Sequence, residues 1–497
     1  MNELFKGVIM YIKSIKLTNF KSFMGEHIIH FKPGVNYLVG NNNAGKTTIF
    51  DAFSFMISTV KKSDYISKGY ESESVSVEIC LANVGELKGS LAKYEDYRTS
   101  KNELILLKTS KETNIKQGNK KVNMNIKTVR LWNEQTKEDV PAQFENPVGV
   151  ANVATALFNP QFIYADLHNE DLQDFGTTKI TGKLISSLTN DFIESQEFKA
   201  LKDAHNAAFG KDGVNKYLGS TEEELGNRLS EQFGSSKVHF KFNFPAATDL
   251  FKKGTIDIEE NGLRTDASNK GNGMQRALAL AIIQLVAERT SKRQATLLGM
   301  QFLIDEPEIY LHPKAQDKLM DSLRKLTPNN QVFITTHSPY ILRHFRNEID
   351  NVDIIKNDLS KKVSTMEQLY FKNPSMSEVT YKAFGVPTQD LHQHLFTTLQ
   401  LKWIENTDGK HTLNAFDKYL NSYYGVPCDV AFVPRINGEW KQKEFRTLPY
   451  VVRNEIDHPE VLEDKMNDLS DENLKESIDC LFNILKCDLL KDNEESA

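Results

Sequence analysis

Cysteine is scarce: Cys80, Cys428, Cys480 and Cys487 are the only four in 497 residues, and they show neither metal-ligand spacing nor a disulfide framework. They read as ordinary thiols of a reducing compartment, so a cytoplasmic location is expected. Long hydrophobic runs are lacking too. The apolar stretch 277–287 is interrupted by Gln284 and falls short of the roughly 18–20 residues a membrane helix needs, so no membrane contact is expected. The opening MNELFKGVIMYIK has too short an apolar run and no small-residue cleavage site, which argues against a secretory signal; Met10 is an alternative start. A net charge of -6 argues against a generally basic nucleic-acid binder.

What is present suits a globular protein: 39% hydrophobic, 26% charged and 10% aromatic residues exclude wholesale disorder. At roughly 150 residues per domain, the length fits about three units or one large core with insertions. Charge is unevenly spread. From Pro459 onward twelve Asp/Glu face four Lys, whereas Lys101–Arg130 holds eight Lys/Arg against two Glu. That basic stretch is a candidate track for a nucleic-acid backbone; the competing reading is the solvated face of a β arm, with Trp132 the one aromatic nearby to stack a base.

Patterning predicts strands over Ile12–Leu17, Ile28–Phe31 and Val35–Val39, then a helix from about Lys46 to Thr59. Residues 70–150 are strand-like, with VSVEICL and NELILLK the clearest pieces. From about Ile180 to Phe233 the pattern is helical, and Ser220 with Glu223 predicts a capping-box start. Val238, Phe240, Phe242 and Phe244 alternate with polar residues, which predicts a half-buried strand. A long apolar helix (Met274–Arg289) and buried strands at Gln301–Ile304 and Gln331–Thr335 follow, and after about residue 375 the pattern is mostly helical. This βα alternation argues for an α/β sheet.

Gly40-Asn41-Asn42-Asn43-Ala44-Gly45-Lys46-Thr47-Thr48 fits G-x4-G-K-[ST] between a strand and a helix. The glycines let backbone N–H groups face phosphate oxygens, and the helix N-terminus adds positive potential. ATP is the expected ligand, with Lys46 on its β- and γ-phosphates and Thr47 on Mg2+. The apolar strand ending in Asp305-Glu306 supplies the complement: Asp305 for the Mg2+ shell, Glu306 to orient or deprotonate the attacking water. His337, just past another buried strand, is placed to contact the γ-phosphate, against the bland reading of a structural histidine. Lys270-Gly271-Asn272-Gly273-Met274-Gln275-Arg276 is a glycine-rich helix start, a second anion site.

In their order, Leu17-Thr18-Asn19-Phe20-Lys21-Ser22-Phe23, the phosphate loop, Gly271-x-Gly-x-Gln-Arg276, IDEPEIYLHP and TTHSPY resemble the ABC-type ATPases of the RecF/OLD/SMC group over about residues 11–345. The resemblance implies an α/β fold: an ABC-type ATPase head over 1–375, with a β-rich insertion at about 65–150 and a helical one at about 175–235, followed by a smaller, mainly helical C-terminal domain over 376–497. It further implies a homodimer or higher oligomer with ATP sandwiched between heads, Lys46 and Thr47 of one chain opposite Asn272 and Gly273 of the other. Gln275 is counted with this nucleotide site, and Gln161 is the candidate metal-contacting glutamine. Asn272 stands where the family usually has serine.

About 220 residues separate the phosphate loop from the glycine-rich helix start, too few for a long coiled coil. The acidic metal motif expected of the metal-dependent domain of OLD nucleases, such as VEGxxD, does not occur after His337, so that domain is expected to be missing. The tail, SMSEVTYKAFG through HQH and LPYVVRNEIDHPE, resembles those of bacterial anti-phage ATPases of the Septu and retron-associated type, which implies an ATPase controlling a separate nuclease or other effector subunit. Within it, Arg453 and His458 fit the R-x4-H of HEPN ribonucleases, which opens an alternative: a self-contained, ATPase-gated RNase toxin. A degenerate docking module is the competing reading for the pair. A RecF-like DNA-repair ATPase is a second alternative that shares every head motif.

Overall fold

The computed structural model of the chain describes residues 10–87, 89–117, 120–135, 144–146, 157, 160–163, 192–210, 212–245, 247–251, 254–275, 277–279, 281–282, 285, 301–309, 311–328, 330–346, 348–356, 362–366, 370, 375–408, 411–436, 439–458 and 470–494. The strands in chain order are β1 (Tyr11–Phe20), β2 (Phe23–His30), β3 (Val35–Val39), β4 (Ser76–Ala82), β5 (Leu104–Thr109), β6 (Thr113–Gln117), β7 (Lys120–Met124), β8 (Val129–Trp132), β9 (Phe144–Glu145), β10 (Pro160–Ile163), β11 (Asp257–Glu260), β12 (Leu263–Asp266), β13 (Gln301–Asp305), β14 (Gln331–Thr336), β15 (Asn351–Lys356) and β16 (Lys362–Thr365). The helices used below are α1 (Lys46–Ile57), α2 (Gln196–Phe209), α3 (Val214–Phe233), α4 (Met376–Phe384), α5 (Gln389–Asn406), α6 (Leu413–Tyr424), α7 (Leu448–Asp457) and α8 (Asp471–Glu494). The fold is mixed α/β with a mainly helical C-terminal region, as the sequence predicts. No helix among the described residues is long and apolar enough to cross a membrane.

Two compact units divide the chain: Met1–Tyr11, Leu81–Ile105 and Leu131–Phe333 form the first, and Ile12–Cys80, Leu106–Arg130 and Ile334–Ala497 the second. In the first, β10 and β13 run parallel, Gln161 opposite Phe302 and Ile163 opposite Ile304, with β14 next in order. In the second, the order β14–β3–β15–β16 places β15 parallel to β3 and antiparallel to β16. β3 and β14 are buried at every position, which explains why they read as continuous apolar runs rather than alternating ones. The second unit also carries the order β2–β1–β4–β5–β8, where β1 buries alternate residues, as a strand half-open to solvent does.

Two local expectations fail in the first unit. Ser220 and Glu223 do not open a helix: α3 begins at Val214, with Gly213 as its N-cap, so Ser220 lies inside it. The Gly213 carbonyl oxygen accepts from the Lys216 N–H at 3.0 Å, so the helix starts more than a turn upstream of Ser220. Val238–Phe244 has no regular secondary structure and joins no sheet. Its phenylalanines pack instead on α2, Phe244 against Phe198 at 5.6 Å and Phe242 against Phe209 at 5.5 Å between ring centroids. Val238 and Phe244 are half-buried, but Phe240 and Phe242 stay exposed, so the alternation does not mark a buried face here. The remaining helical expectations hold where residues are described; residues 180–191, 211, 276, 280, 283–284 and 286–289 lie outside them.

The C-terminal helices follow their capping residues. Ser375, Thr388, Thr412 and Thr447 each accept a hydrogen bond from the backbone N–H three residues on, opening α4, α5, α6 and α7. Gly385 and Gly425 close α4 and α6 in the left-handed conformation, each at φ 70°. Their apolar faces, with that of α8, converge on one core that includes Leu391, Leu395, Phe396, Phe416, Ile478 and Leu481. Two short hairpin pairings, Val430–Phe432 with Glu444–Arg446 and Arg435–Ile436 with Glu439–Trp440, interrupt the helices.

Asp417 of α6 sits at the centre of a buried polar knot. Its carboxylate accepts from the Thr447 hydroxyl (2.7 Å), the Thr447 backbone N–H (3.1 Å) and Arg446 Nη1 (3.2 Å). Asp417 therefore positions the cap of α7 as well as neutralising Arg446. Removing an acid at 2% exposure strands three donors. Asp417→Ala is expected to lower the unfolding free energy by about 3 kcal/mol and Asp417→Asn by less, measured as urea midpoints of the full chain.

Candidate functional site

The phosphate loop leaves β3 through a series of positive φ angles: Gly40 at 156°, Asn43 at 61° and Gly45 at 103°. Glycine is required at both ends. A Cβ on Gly40 would lie 2.3 Å from the Ile355 carbonyl oxygen of β15, and one on Gly45 would lie 2.9 Å from Ser22 Oγ. α1 then starts at Lys46 with no side chain capping it, so its amide dipoles make an anion site at the loop's mouth. Thr47 is exposed there, Thr48 is half-buried, and the Thr48 hydroxyl lies 3.5 Å from that of Ser22.

Lys46 is 5% exposed, and its ammonium curls back over the loop, donating to the carbonyl oxygens of Gly40 (3.1 Å) and Asn41 (3.3 Å). The third contact is His337 Nε2, at 2.5 Å. With the lysine donating, Nε2 is the acceptor and the imidazole proton sits on Nδ1. His337 is aimed by the strand that carries it. β14 is buried through Thr336, the Ser338 N–H donates to the Thr336 hydroxyl at 2.9 Å, and Pro339 turns the chain into the short helix Pro339–Leu342. Two residues 291 positions apart thus meet over one loop.

The remaining head residues lie in the first unit. β13 buries Gln301–Ile304 and releases Asp305 at its end, half-buried. Glu306 follows at φ 42°, an uncommon conformation for a side-chain-bearing residue, and opens the turn closed by Ile309 N–H to its carbonyl oxygen. Such strain at the end of a buried strand marks a place where side-chain direction matters. Gln161 is buried in the middle of β10, its amide donating to the Pro160 carbonyl oxygen, and it pairs with Phe302 rather than with the strand end at Asp305. Residues 272–275 are helical, with Asn272 exposed and Gly273 half-buried. Gln275 is buried, its amide holding the carbonyl oxygens of Ser268 (3.0 Å) and Lys270 (2.6 Å). It shapes the turn that presents Asn272 and Gly273. Arg276 lies outside the described residues.

Arg453 and His458 follow different geometries. Arg453 Nη2 pairs with Asp457 of its own helix at 2.7 Å and lies over the Phe396 ring. Asp457 also accepts from Gln393 at 2.6 Å. His458 is exposed and closes α7, its N–H donating to Asn454, the C-terminal placement its following proline predicts. The buried histidine nearby is His392, hydrogen-bonded to the Ser477 hydroxyl at 2.8 Å; burial first, and the Arg453 charge second, push its pKa down to about 3.

Sequence reasoning missed Lys108. Although it belongs to the basic stretch, it is 3% exposed, and its ammonium donates to the carbonyl oxygens of Phe55 (2.7 Å) and Ser58 (2.6 Å). It therefore caps the C-terminal end of α1, the helix whose N-terminus forms the phosphate loop. The signal was available: Leu104, Leu106 and Lys108 share the inward period of β5. Arg130 is buried as well, which removes both residues from any exposed basic track.

Two outcomes follow from this geometry. Gly40→Ala is expected to weaken ATP binding at least about ten-fold, read by titration with a fluorescent ATP analogue, because the methyl group displaces the loop from β15. Burial lowers the Lys108 pKa from 10.5 to about 8. Between those values the unfolded chain holds the extra proton, so this residue's contribution to stability rises with pH across the window. Relative to wild type, Lys108→Met should show a flatter increase, or steeper decline, of the thermal midpoint between pH 8 and 10.5.

A family model for the AAA ATPase domain matches residues 10–342, well over half of the chain. The Old nuclease of Escherichia phage P2 is 26% identical over 456 residues, covering 85% of this chain and 72% of that protein. Endonuclease GajA of Bacillus cereus is 23% identical over 430 residues, covering 83% of this chain and 68% of that one. Both alignments are longer than the ATPase-domain match and so reach into the C-terminal region. Among solved structures, an SMC head bound to the C-winged helix domain of ScpA aligns with a TM-score of 0.41 at 15% identity, over 71% of this chain and 98% of that one. The chain belongs to the AAA ATPase domain family, is related to the Old nuclease and endonuclease GajA, and through that domain is expected to bind ATP.

Proposed function

We propose that this protein is an ATP-hydrolysing head that closes on a second copy around bound nucleotide and thereby controls a nuclease response in anti-phage defence. The observation that carries this reading is the contact of Lys46 with His337 over the Gly40–Gly45 loop. A γ-phosphate entering the loop would take the lysine from the two carbonyls it now holds and meet the histidine at the same point, so nucleotide state is read where two distant segments converge. Thr47 and Asp305 offer the hard oxygen donors that suit Mg2+, which would neutralise charge on the phosphates. Glu306 orients or deprotonates the attacking water, and its constrained backbone favours one direction for the carboxylate. Asn272 and Gly273, held by Gln275, would meet the nucleotide of the partner copy.

The nuclease part of the reading is supported by the names of the two relatives and by alignments that extend past residue 342. We place the nuclease on a separate subunit because the tail, SMSEVTYKAFG through LPYVVRNEIDHPE, resembles those of anti-phage ATPases of the Septu and retron-associated type. The Arg453–Asp457 pair supports a packing role for Arg453 over a ribonuclease role. The basic stretch Lys101–Arg130 is the proposed contact with nucleic acid.

Glu306→Gln should bind ATP, lose at least about 100-fold in turnover and accumulate as a dimer by light scattering when ATP and Mg2+ are present. A monomeric Glu306→Gln protein that still binds ATP would remove the sandwich from the reading. Hydrolysis equal to wild type would remove Glu306 from the chemistry.

A further inference from the structure

Within the basic stretch the backbone singles out one element. β6 and β7 form a two-stranded antiparallel ribbon, a sheet of their own, with Thr113 opposite Met124, Asn114 opposite Asn123, Ile115 opposite Val122, Lys116 opposite Lys121 and Gln117 opposite Lys120. Because successive residues of a strand alternate between faces, this register sorts the ribbon chemically. Asn114, Asn123, Lys116 and Lys121 share one face. Ile115, Val122 and Met124 lie on the other with Thr113, Gln117 and Lys120. From Thr113 to Met124 there is no acidic residue.

Placing two lysines directly opposite one another costs stability in an isolated hairpin, because like charges at a cross-strand pair repel. A register with this pairing, beside a pair of amides and with no acid in the ribbon's own sequence, suits a polyanion that relieves the repulsion. The base of the ribbon is pinned. Buried Arg130 donates from Nη2 to the Lys111 carbonyl oxygen at 3.0 Å, and Lys111 and Lys127 flank the ribbon exposed.

We propose that the Asn114/Asn123/Lys116/Lys121 face of the β6–β7 ribbon binds duplex DNA in the major groove. This narrows the nucleic-acid contact proposed for Lys101–Arg130 to one face and one form of nucleic acid. A two-stranded ribbon enters the major groove of B-form DNA, about 12 Å wide. The deep, narrow major groove of A-form RNA does not admit it. Amides pair with adenine edges there, and lysines with guanine edges or phosphates.

The test compares binding of the full-length protein to a short labelled DNA duplex, the same sequence as an RNA duplex, and a single DNA strand, over a range of salt concentrations. Lys116→Ser/Lys121→Ser should weaken DNA-duplex binding at least about ten-fold and reduce the magnitude of the log–log salt slope by about 2. Its thermal midpoint should not fall, since the like-charge pair is gone. Asn114→Ala/Asn123→Ala should weaken binding with little change in slope. Lys101→Ser/Lys127→Ser, in the same basic stretch but outside the ribbon, should change affinity less than about three-fold. Equal losses for the two lysine pairs would overturn the ribbon proposal while leaving the broader basic-stretch reading intact. Wild-type affinity and slope in Lys116→Ser/Lys121→Ser, or RNA-duplex or single-strand binding as tight as that of the DNA duplex, would overturn the proposal. No DNA binding by the wild type would overturn both.

Discussion

Lys46 can reach His337 only because β3 and β14 are neighbours in one sheet and both are buried along their whole length. Burial on both faces fixes the height and direction at which each strand ends, and the two ends carry the glycine loop and the histidine. The loop itself has no slack. It is pressed against the Ile355 carbonyl at one glycine and against Ser22 at the other. An ammonium drawn from water into such a site needs acceptors, and it finds them in Gly40, Asn41 and His337. Under the proposed function, those acceptors would give the cation up to an anionic ligand entering the loop.

α1 carries this constraint away from the loop. Its N-terminus faces the anion site, and its C-terminus is held by a buried lysine from β5. Lys108 thus ties the phosphate-binding helix to the strand that leads into the basic ribbon, all within the second compact unit. A charge placed at the negative end of a helix steadies the whole dipole. In the C-terminal region, Asp417 does the comparable task among helices, joining α6 to the cap of α7 through Thr447. In both cases a buried ionic group specifies how elements meet, because leaving it unpaired is far more costly than any alternative packing.

Much of the head was legible in the sequence for a physical reason. A buried parallel strand must be apolar throughout, a phosphate loop must have glycine where φ is positive or another backbone comes close, and a strand-end acid breaks an apolar run abruptly. Each leaves a local mark at Val35–Lys46, Gln301–Glu306 and Gln331–His337. Ser220, Glu223 and the Val238–Phe244 alternation show where local marks mislead. A capping box is only one of the competing starts available to a long helix, and alternation of apolar residues does not by itself bury a face, since Phe240 and Phe242 stay exposed. Lys108 and Arg130 looked like surface charge, and only their partners reveal them as internal ties.

From its residues alone, the chain declared an α/β head with a phosphate loop, the acids at the end of β13, the candidate histidine, and a helical tail, since these depend on spacing and local propensity. The tertiary structure alone decided that Lys46 meets His337, that Gln275 braces its own turn, that Arg453 is held by Asp457, and which basic residues lie inside. The Lys46 and Lys108 contacts join residues far apart in sequence and form only when packing brings both partners to one place; those of Gln275 and Arg453 are local, but each side chain had several polar neighbours within reach and only the fold selects which one it holds.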